Sequence, residues 1–274
     1  MVFDQRVLVA FALTLVAGLS TGLGSLISLY ARRTNTRLLS IALGFSAGVM
    51  VYVSLVDMLV TARNLLVEQL GGRSGHAIAV VSLFVGMLVA AMIDKLVPAA
   101  ENPHSFRKVE DMAEAAHSEE DPRTGKLLRM GFLSALAIAV HNFPEGIATF
   151  VASMKDVNLG IAIALAVAIH NVPEGLAVAV PVYYATDDRK KAFCYSFLSG
   201  LAEPAGALAG FLILMPLLSD AVFGVIFAAV AGIMVFISFD ELLPTAEEFG
   251  EHHLAIYGLI SGMAVMAVSL ILFE

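Results

Sequence analysis

Long apolar stretches alternate with short polar ones along the whole chain. Each is close to the roughly 20 residues that a helix needs to cross the hydrocarbon core of a bilayer, and no alternating pattern indicates a membrane barrel. The sequence therefore predicts an all-α integral membrane protein with eight transmembrane helices, in which residues 1–274 form a single domain. The predicted spans are Val7–Tyr30, Leu38–Val60, Ala77–Leu96, Leu127–Val151, Leu159–Val182, Ala192–Leu217, Ala221–Leu243 and Ile256–Phe273.

Composition supports the same class. The chain is 59% hydrophobic and only 15% charged, which excludes an ordinary soluble domain. Its one cysteine, Cys194, excludes a disulfide framework and a thiolate metal cluster. The net charge of -8 carries no nucleic-acid signature, so no nucleic-acid partner is expected. The first apolar run has no clear cleavage site, which favours a retained helix over a removed signal peptide.

Lysine and arginine are distributed unevenly between the two sets of connecting segments. Twelve of the 16 lie in one set and four in the other, and positively charged loops stay in the cytoplasm. Eight spans place both termini on one side, so both are predicted to be extracytoplasmic. The longest connection, residues 97–126, is then cytoplasmic. Its polar, acidic composition is typical of a solvated linker, and His104 and His117 leave open a weak metal-collecting or metal-sensing segment.

A six-residue polar motif occurs twice, each time in the middle of an apolar run. Positions four apart share a helix face, so the histidine and glutamate of each copy face the same way, with the asparagine on the adjoining strip. An unpaired carboxylate in hydrocarbon costs at least a few kcal/mol. Two matching clusters at one depth therefore predict one shared site between the fourth and fifth spans. The copies are His141-Asn142-Phe143-Pro144-Glu145-Gly146 and His170-Asn171-Val172-Pro173-Glu174-Gly175.

The atoms of the two motifs suit a divalent cation. Pro144 and Pro173 cannot donate to the carbonyls four residues earlier, so each helix is expected to kink and leave a bare carbonyl oxygen. Gly146 and Gly175 are expected to let the two helices approach closely. Imidazole nitrogens with carboxylate, amide and carbonyl oxygens are the ligands that a borderline divalent cation prefers.

Glu203, near the middle of the sixth span, is predicted to be a further ligand. The alternative is a carboxylate paired elsewhere in the bundle. Together with Glu145 and Glu174 it makes three carboxylates, so one divalent cation leaves one net negative charge and two leave one net positive charge. Either state costs less in hydrocarbon than three bare carboxylates. An empty site is expected to take up protons, so that metal and protons compete.

Three other interpretations of the doubled motif are possible. A polar network that only ties two helices together would explain one histidine, but the duplication argues against it. A membrane metalloenzyme, a protease or hydroxylase, is the main alternative. A zinc protease uses His-Glu-x-x-His and di-iron sites use Glu-x-x-His, whereas the spacing here is His-x-x-x-Glu. A metal-sensing receptor would need an output domain, and the sequence shows none.

The doubled His-Asn-x-Pro-Glu-Gly motif, the span count and the long loop after the third span resemble the ZIP family (Zrt-, Irt-like proteins) of divalent-metal transporters, and most of all its bacterial, ZupT-like branch. The resemblance implies uptake of zinc, together with iron, manganese, cobalt or cadmium, across a bacterial inner membrane. It does not imply an enzyme.

The resemblance also implies a binuclear metal site and a mode of movement. One metal would be held by His141, Glu145, His170 and Glu174. A second would be held by Asn142, Asn171 and Glu203, with Glu145 and Glu174 bridging. The family further implies an inverted repeat relating the first three spans to the last three, a homodimer, and an elevator-type movement of spans one, four, five and six against the other four.

Overall fold

Helices account for nearly all the residues that the structure, a computed structural model, describes. These are residues 5–30, 36–96, 122–214, 219–249 and 252–273, and no β-strand occurs among them. We number the helices α1 to α8; α2, α6 and α7 each include a short π-helical segment. The bounds are α1 Gln5–Tyr30, α2 residues 36–70 (Thr36–Tyr52, Val53–Met58 and Leu59–Leu70), α3 Gly72–Leu96, α4 Pro122–Lys155, α5 Val157–Thr186, α6 residues 189–214 (Arg189–Gly200, Ala202–Ala209 and Gly210–Leu214), α7 residues 220–249 (Asp220–Ile237, Ser238–Leu242 and Leu243–Phe249) and α8 His252–Phe273.

Seven of these helices are long and apolar enough to cross a membrane, within the described ranges. They coincide with all the predicted spans except the fourth, which confirms an all-α integral membrane protein. The side chains of α4 are described without interruption only over residues 142–155, so an eighth crossing stays a prediction.

The predicted cytoplasmic connection, residues 97–126, lies mostly outside the described residues, with His104 and His117. Its end is corrected by the structure, because α4 already begins at Pro122. Proline is favoured at a first helical position, where its missing N–H group would have no intrahelical partner.

α4 and α5 form an antiparallel hairpin joined by one residue, Asp156. Its carboxylate accepts a hydrogen bond from the backbone N–H of Leu159 at 3.0 Å, which caps the start of α5. Further along the hairpin, Gly160 packs on Ser153. This turn fixes the register in which the two copies of the motif face each other.

Glycines bring α1, α4, α5 and α6 into backbone contact with one another. A Cβ atom built on Gly24 of α1 would lie 1.9 Å from the carbonyl oxygen of Val172 in α5, and one on Gly206 of α6 would lie 2.1 Å from that of Phe143 in α4. The rings of Phe11, Phe150 and Phe211 from α1, α4 and α6 add an aromatic cluster with centroids 4.8 to 6.1 Å apart.

The same kind of contact joins α2, α3, α7 and α8. A Cβ atom on Gly48 of α2 would lie 2.0 Å from the carbonyl oxygen of Leu259 in α8, and one on Gly86 of α3 would lie 1.9 Å from that of Ala229 in α7. Among the described residues, every glycine that contacts another helix contacts one of its own group of four. The chain therefore forms two sets of helices, each locked internally by backbone contact.

Candidate metal centre

The glutamate of the first motif meets the histidine of the second across α4 and α5. His170 Nε2 lies 3.1 Å from Glu145 Oε2, and both side chains are fully buried. The other ring nitrogen of His170, Nδ1, lies 3.2 Å from the carbonyl oxygen of Ala166. When Nδ1–H donates to that carbonyl, Nε2 and the carboxylate present lone pairs to each other. Only a proton or a cation between them makes that arrangement favourable.

A second buried group joins α1, α5 and α6. Asn171 Nδ2 donates to Glu203 Oε1 and, at 2.9 Å, to the carbonyl oxygen of Ala17. The remaining oxygens of this pair, Asn171 Oδ1 and Glu203 Oε2, are buried without a hydrogen-bond partner among the described residues. Buried acceptors are rarely left without a donor because their desolvation is costly. Two such oxygens on adjacent side chains fit a cation.

Asn142 connects Glu174 to this cluster. In the orientation that satisfies both ends of its amide, Asn142 Nδ2 donates to Glu174 Oε2 and to the carbonyl oxygen of Ile138, each at 3.2 Å. In the other orientation Nδ2 donates to the carbonyl oxygen of Ser199 at 3.4 Å. Either way Asn142 lies between α5 and α6, with Glu174 as its carboxylate neighbour.

The groups form one electrostatic unit. The carboxylate of Glu203 interacts with those of Glu145 and Glu174 and with the ring of His170. Three acidic groups in one buried region repel one another, so their clustering needs positive charge in the form of protons or metal ions.

Six of the seven predicted site residues have described side chains, and all six lie in this region. They are Asn142, Glu145, His170, Asn171, Glu174 and Glu203. The seventh, His141, belongs to the backbone of α4, but its side chain lies outside what the structure describes. Among the described residues, no three His, Cys, Asp or Glu side chains form a preassembled cation cage. The amide, carboxylate and imidazole groups of the site instead form hydrogen bonds with one another.

The glycines of the two motif copies contact other helices than the predicted ones. A Cβ atom on Gly146 would lie 2.0 Å from the carbonyl oxygen of Glu203, and one on Gly175 would lie 1.9 Å from that of Thr21. The glycines thus bring α4 against α6 and α5 against α1, rather than α4 against α5.

Sequence reasoning missed the backbone acceptors that orient the amides. The carbonyl oxygen of Ala17 holds Asn171, and that of Ser199 lies beside Asn142. Main-chain groups leave no residue-type signal. The close approach of α1 and α6 depends on small residues, since Gly18 and Gly200 pack directly on each other.

Comparison with known proteins agrees with the resemblance seen in the motifs. The sequence profile of the family described as ZIP Zinc transporter matches residues 4–270. The Zinc transporter ZupT of Oceanobacillus iheyensis is 60% identical over 268 residues, which cover 98% of this chain and 99% of the relative. The Zinc transporter ZupT of Streptococcus mutans is 56% identical over 270 residues, with 98% and 99% covered. That of Nitratidesulfovibrio vulgaris is 57% identical over 276 residues and covers both chains completely. With residues 4–270 matched by that profile and the buried motifs gathered in one cluster, this chain belongs to the ZIP zinc transporter family.

Proposed function

We propose that this protein takes up zinc across the bacterial plasma membrane into the cytoplasm. The observation that carries the proposal is the buried cluster of α4, α5 and α6, in which Asn171 Oδ1 and Glu203 Oε2 have no hydrogen-bond partner among the described residues. The names of relatives that are more than half identical over the full length support zinc as the cargo. The metalloenzyme alternative has no support, because the doubled motif has His-x-x-x-Glu spacing rather than the His-Glu-x-x-His or Glu-x-x-His spacing of such sites.

We propose two metal positions within the cluster. His141, Glu145, His170 and Glu174 form the first, and Asn142, Asn171 and Glu203 form the second, with Glu145 and Glu174 bridging. The pairing of Glu145 with His170 and of Asn171 with Glu203 supports this division. Nitrogen and oxygen donors bind zinc less tightly than thiolates, which suits a carrier that must release its cargo. The same donors extend the expected range to iron, manganese, cobalt and cadmium.

The two internally locked sets of helices support an elevator-type movement. α4, α5 and α6 carry all the site residues, and glycine contacts hold these three helices and α1 together as one body. α2, α3, α7 and α8 form the other body. Close-packed interfaces resist deformation, so the site is expected to move as a unit past the second body rather than to open from within.

We also propose how the chain is oriented in the membrane and which of its surfaces face lipid or a second copy. Eight crossings would place both termini outside the cytoplasm, as the lysine and arginine distribution predicts. Apolar side chains such as Phe84 and Leu88 of α3 and Ile271 and Leu272 of α8 are exposed. Such outer faces suit lipid or a second copy of the chain, and we expect a homodimer.

Zinc uptake by proteoliposomes tests the function. We expect Glu174→Ala to lose most uptake, because Glu174 is a bridging ligand in the proposed site. Glu68→Ala, which alters an exposed glutamate at the end of α2, is the matched control and should transport normally. Zinc accumulation inside the vesicles distinguishes transport from enzymatic turnover. Uptake at the wild-type rate by Glu174→Ala would refute the proposed role of the site in zinc transport.

A further inference from the structure

Several buried hydroxyls have no hydrogen-bond partner among the described residues, and one of them lies a single helical turn from Glu145. Thr149 of α4 is fully buried, and its Oγ1 has no hydrogen-bond partner among the described residues. Buried hydroxyls in helices usually donate to a carbonyl one turn back. Thr14 does so to Ala10 at 2.9 Å, and Ser153 does so to Thr149 itself at 2.6 Å. The Thr149 hydroxyl is therefore available to another ligand.

Thr149 lies between the proposed metal centre and a surface cavity. It follows Glu145 by four positions and precedes Ser153 by four, so the three share one face of α4. At 1.5 Å per residue, Thr149 is about 6 Å along the helix from each. Ser153 lines a cavity at the end of α4, together with Arg6, Lys155, Asp156 and Asn158.

The stretch between Ser153 and Glu145 is otherwise apolar. Residues 146–152 of α4 contain one polar side chain, that of Thr149, and residues 161–169 of the neighbouring α5 contain none. Since Gly160 packs on Ser153 and His170 meets Glu145, this α5 segment runs opposite Thr149. A cation moving between cavity and centre would cross about 12 Å with one side-chain oxygen from these two helices on the way.

We propose that the Thr149 hydroxyl is a way-station for the transported cation, one helical turn from Glu145 on the side of the cavity. This inference rests on the proposed function. A neutral hydroxyl oxygen binds a divalent cation more weakly than a carboxylate does. Passage requires such binding, strong enough to admit the ion and weak enough to let it go. Thr149 thus governs how fast zinc reaches Glu145, without holding zinc at equilibrium.

The test compares Thr149→Val, which keeps the shape and removes the hydroxyl, with Thr149→Ser, which keeps the hydroxyl. Zinc uptake by proteoliposomes is measured at limiting zinc, and zinc bound per chain is measured on purified protein. We expect Thr149→Val to take up zinc about fivefold more slowly, as the loss of one net polar interaction implies. Its equilibrium zinc content should be unchanged, and Thr149→Ser should match the wild type.

Thr14→Val is the matched control, because it removes a buried threonine hydroxyl from α1 that is already satisfied by its own helix. Wild-type uptake by Thr149→Val, or equal losses in Thr149→Val and Thr149→Ser, would overturn the inference and leave the proposed function standing. No uptake by the wild-type protein would overturn both. If Thr149→Val does not fold, Thr149→Ala replaces it, and slower uptake than Thr149→Ser is again the expected result.

Discussion

Substitution of Gly146 by alanine tests whether the close approach of α4 and α6 assembles the metal centre. A Cβ atom at this position would lie 2.0 Å from the carbonyl oxygen of Glu203 and 2.6 Å from both its carbonyl carbon and its Cα. Side-chain Cβ atoms essentially never approach other atoms within 3.0 Å. All three neighbours are backbone atoms, which cannot rotate away. The two helices must therefore separate by at least about 1.0 Å, the difference between the two distances.

A separation of this size is tolerable for the fold but not for the site. Accommodating one extra methyl group in a packed interior costs about 1–3 kcal/mol, and alanine favours the helix over glycine by up to about 1 kcal/mol. Zinc–oxygen bonds, by contrast, are about 2.0–2.2 Å long. A shift of 1 Å between Glu145 and Glu203 would prevent both carboxylates from reaching shared metal ions.

Zinc binding and proteoliposome uptake measure the result. We expect Gly146→Ala to be recovered as folded protein with zinc affinity and uptake lowered about 10- to 100-fold, the range found when the supporting shell of a metal site is disturbed. Gly210→Ala is the control at the same interface of α6 with α4. Its Cβ would lie 3.4 Å from Cδ1 of Phe150, an ordinary contact. Normal uptake by Gly146→Ala, or an equal defect in Gly210→Ala, would refute the reasoning.

Three further predictions address the charges of the centre and of its surroundings. Glu203→Gln keeps an oxygen that accepts a hydrogen bond from Asn171 but removes the negative charge. Bound zinc, measured by elemental analysis of purified protein, should therefore fall from two ions per chain to one. Two retained ions would contradict the proposed second metal position. Zinc affinity should fall as the pH is lowered, because protons compete with zinc for His170 and the carboxylates. Calorimetry in buffers of different ionisation heat should detect proton release on zinc binding. Zinc binding that is independent of pH would contradict this competition. Lys155→Met should change uptake by less than about fivefold. The ion pair of Lys155 with Asp220 joins the two sets of helices at a half-exposed position, and such pairs contribute about 0.2–1 kcal/mol. A complete loss of uptake would show that Lys155 has another role.

Much of the fold could be predicted from the pattern of apolar residues alone. Seven predicted spans match helices that can cross a membrane, because the bilayer demands about 20 apolar residues whatever the neighbouring helices do. Boundaries were less accurate where helices extend beyond the hydrocarbon. α2 continues to Leu70 rather than ending at Val60, and α4 begins at Pro122 rather than at Leu127. The ends of these two helices contain polar residues, so hydropathy alone does not show where the helices end.

The chemistry of the centre was determined by the sequence itself. Two copies of one motif placed histidine, asparagine and glutamate at helical spacing in apolar surroundings, and only a charged or polar ligand explains such groups there. Their residue types alone indicated a divalent cation, and their doubling indicated a site shared by α4 and α5.

Only the tertiary structure decided which backbones meet around those residues. Gly146 turned out to contact α6 and Gly175 to contact α1, and the carbonyl oxygen of Ala17 holds Asn171 in place. No pattern in the residues predicted the division of the helices into two locked sets. The family resemblance implied it, and the glycine contacts in the structure show which helices each set contains. Helical periodicity specifies which side of a helix is polar or small, but it does not specify the partner that this side faces. That choice depends on how all the helices pack together, since a glycine lets any backbone approach and a carbonyl oxygen is present at every residue.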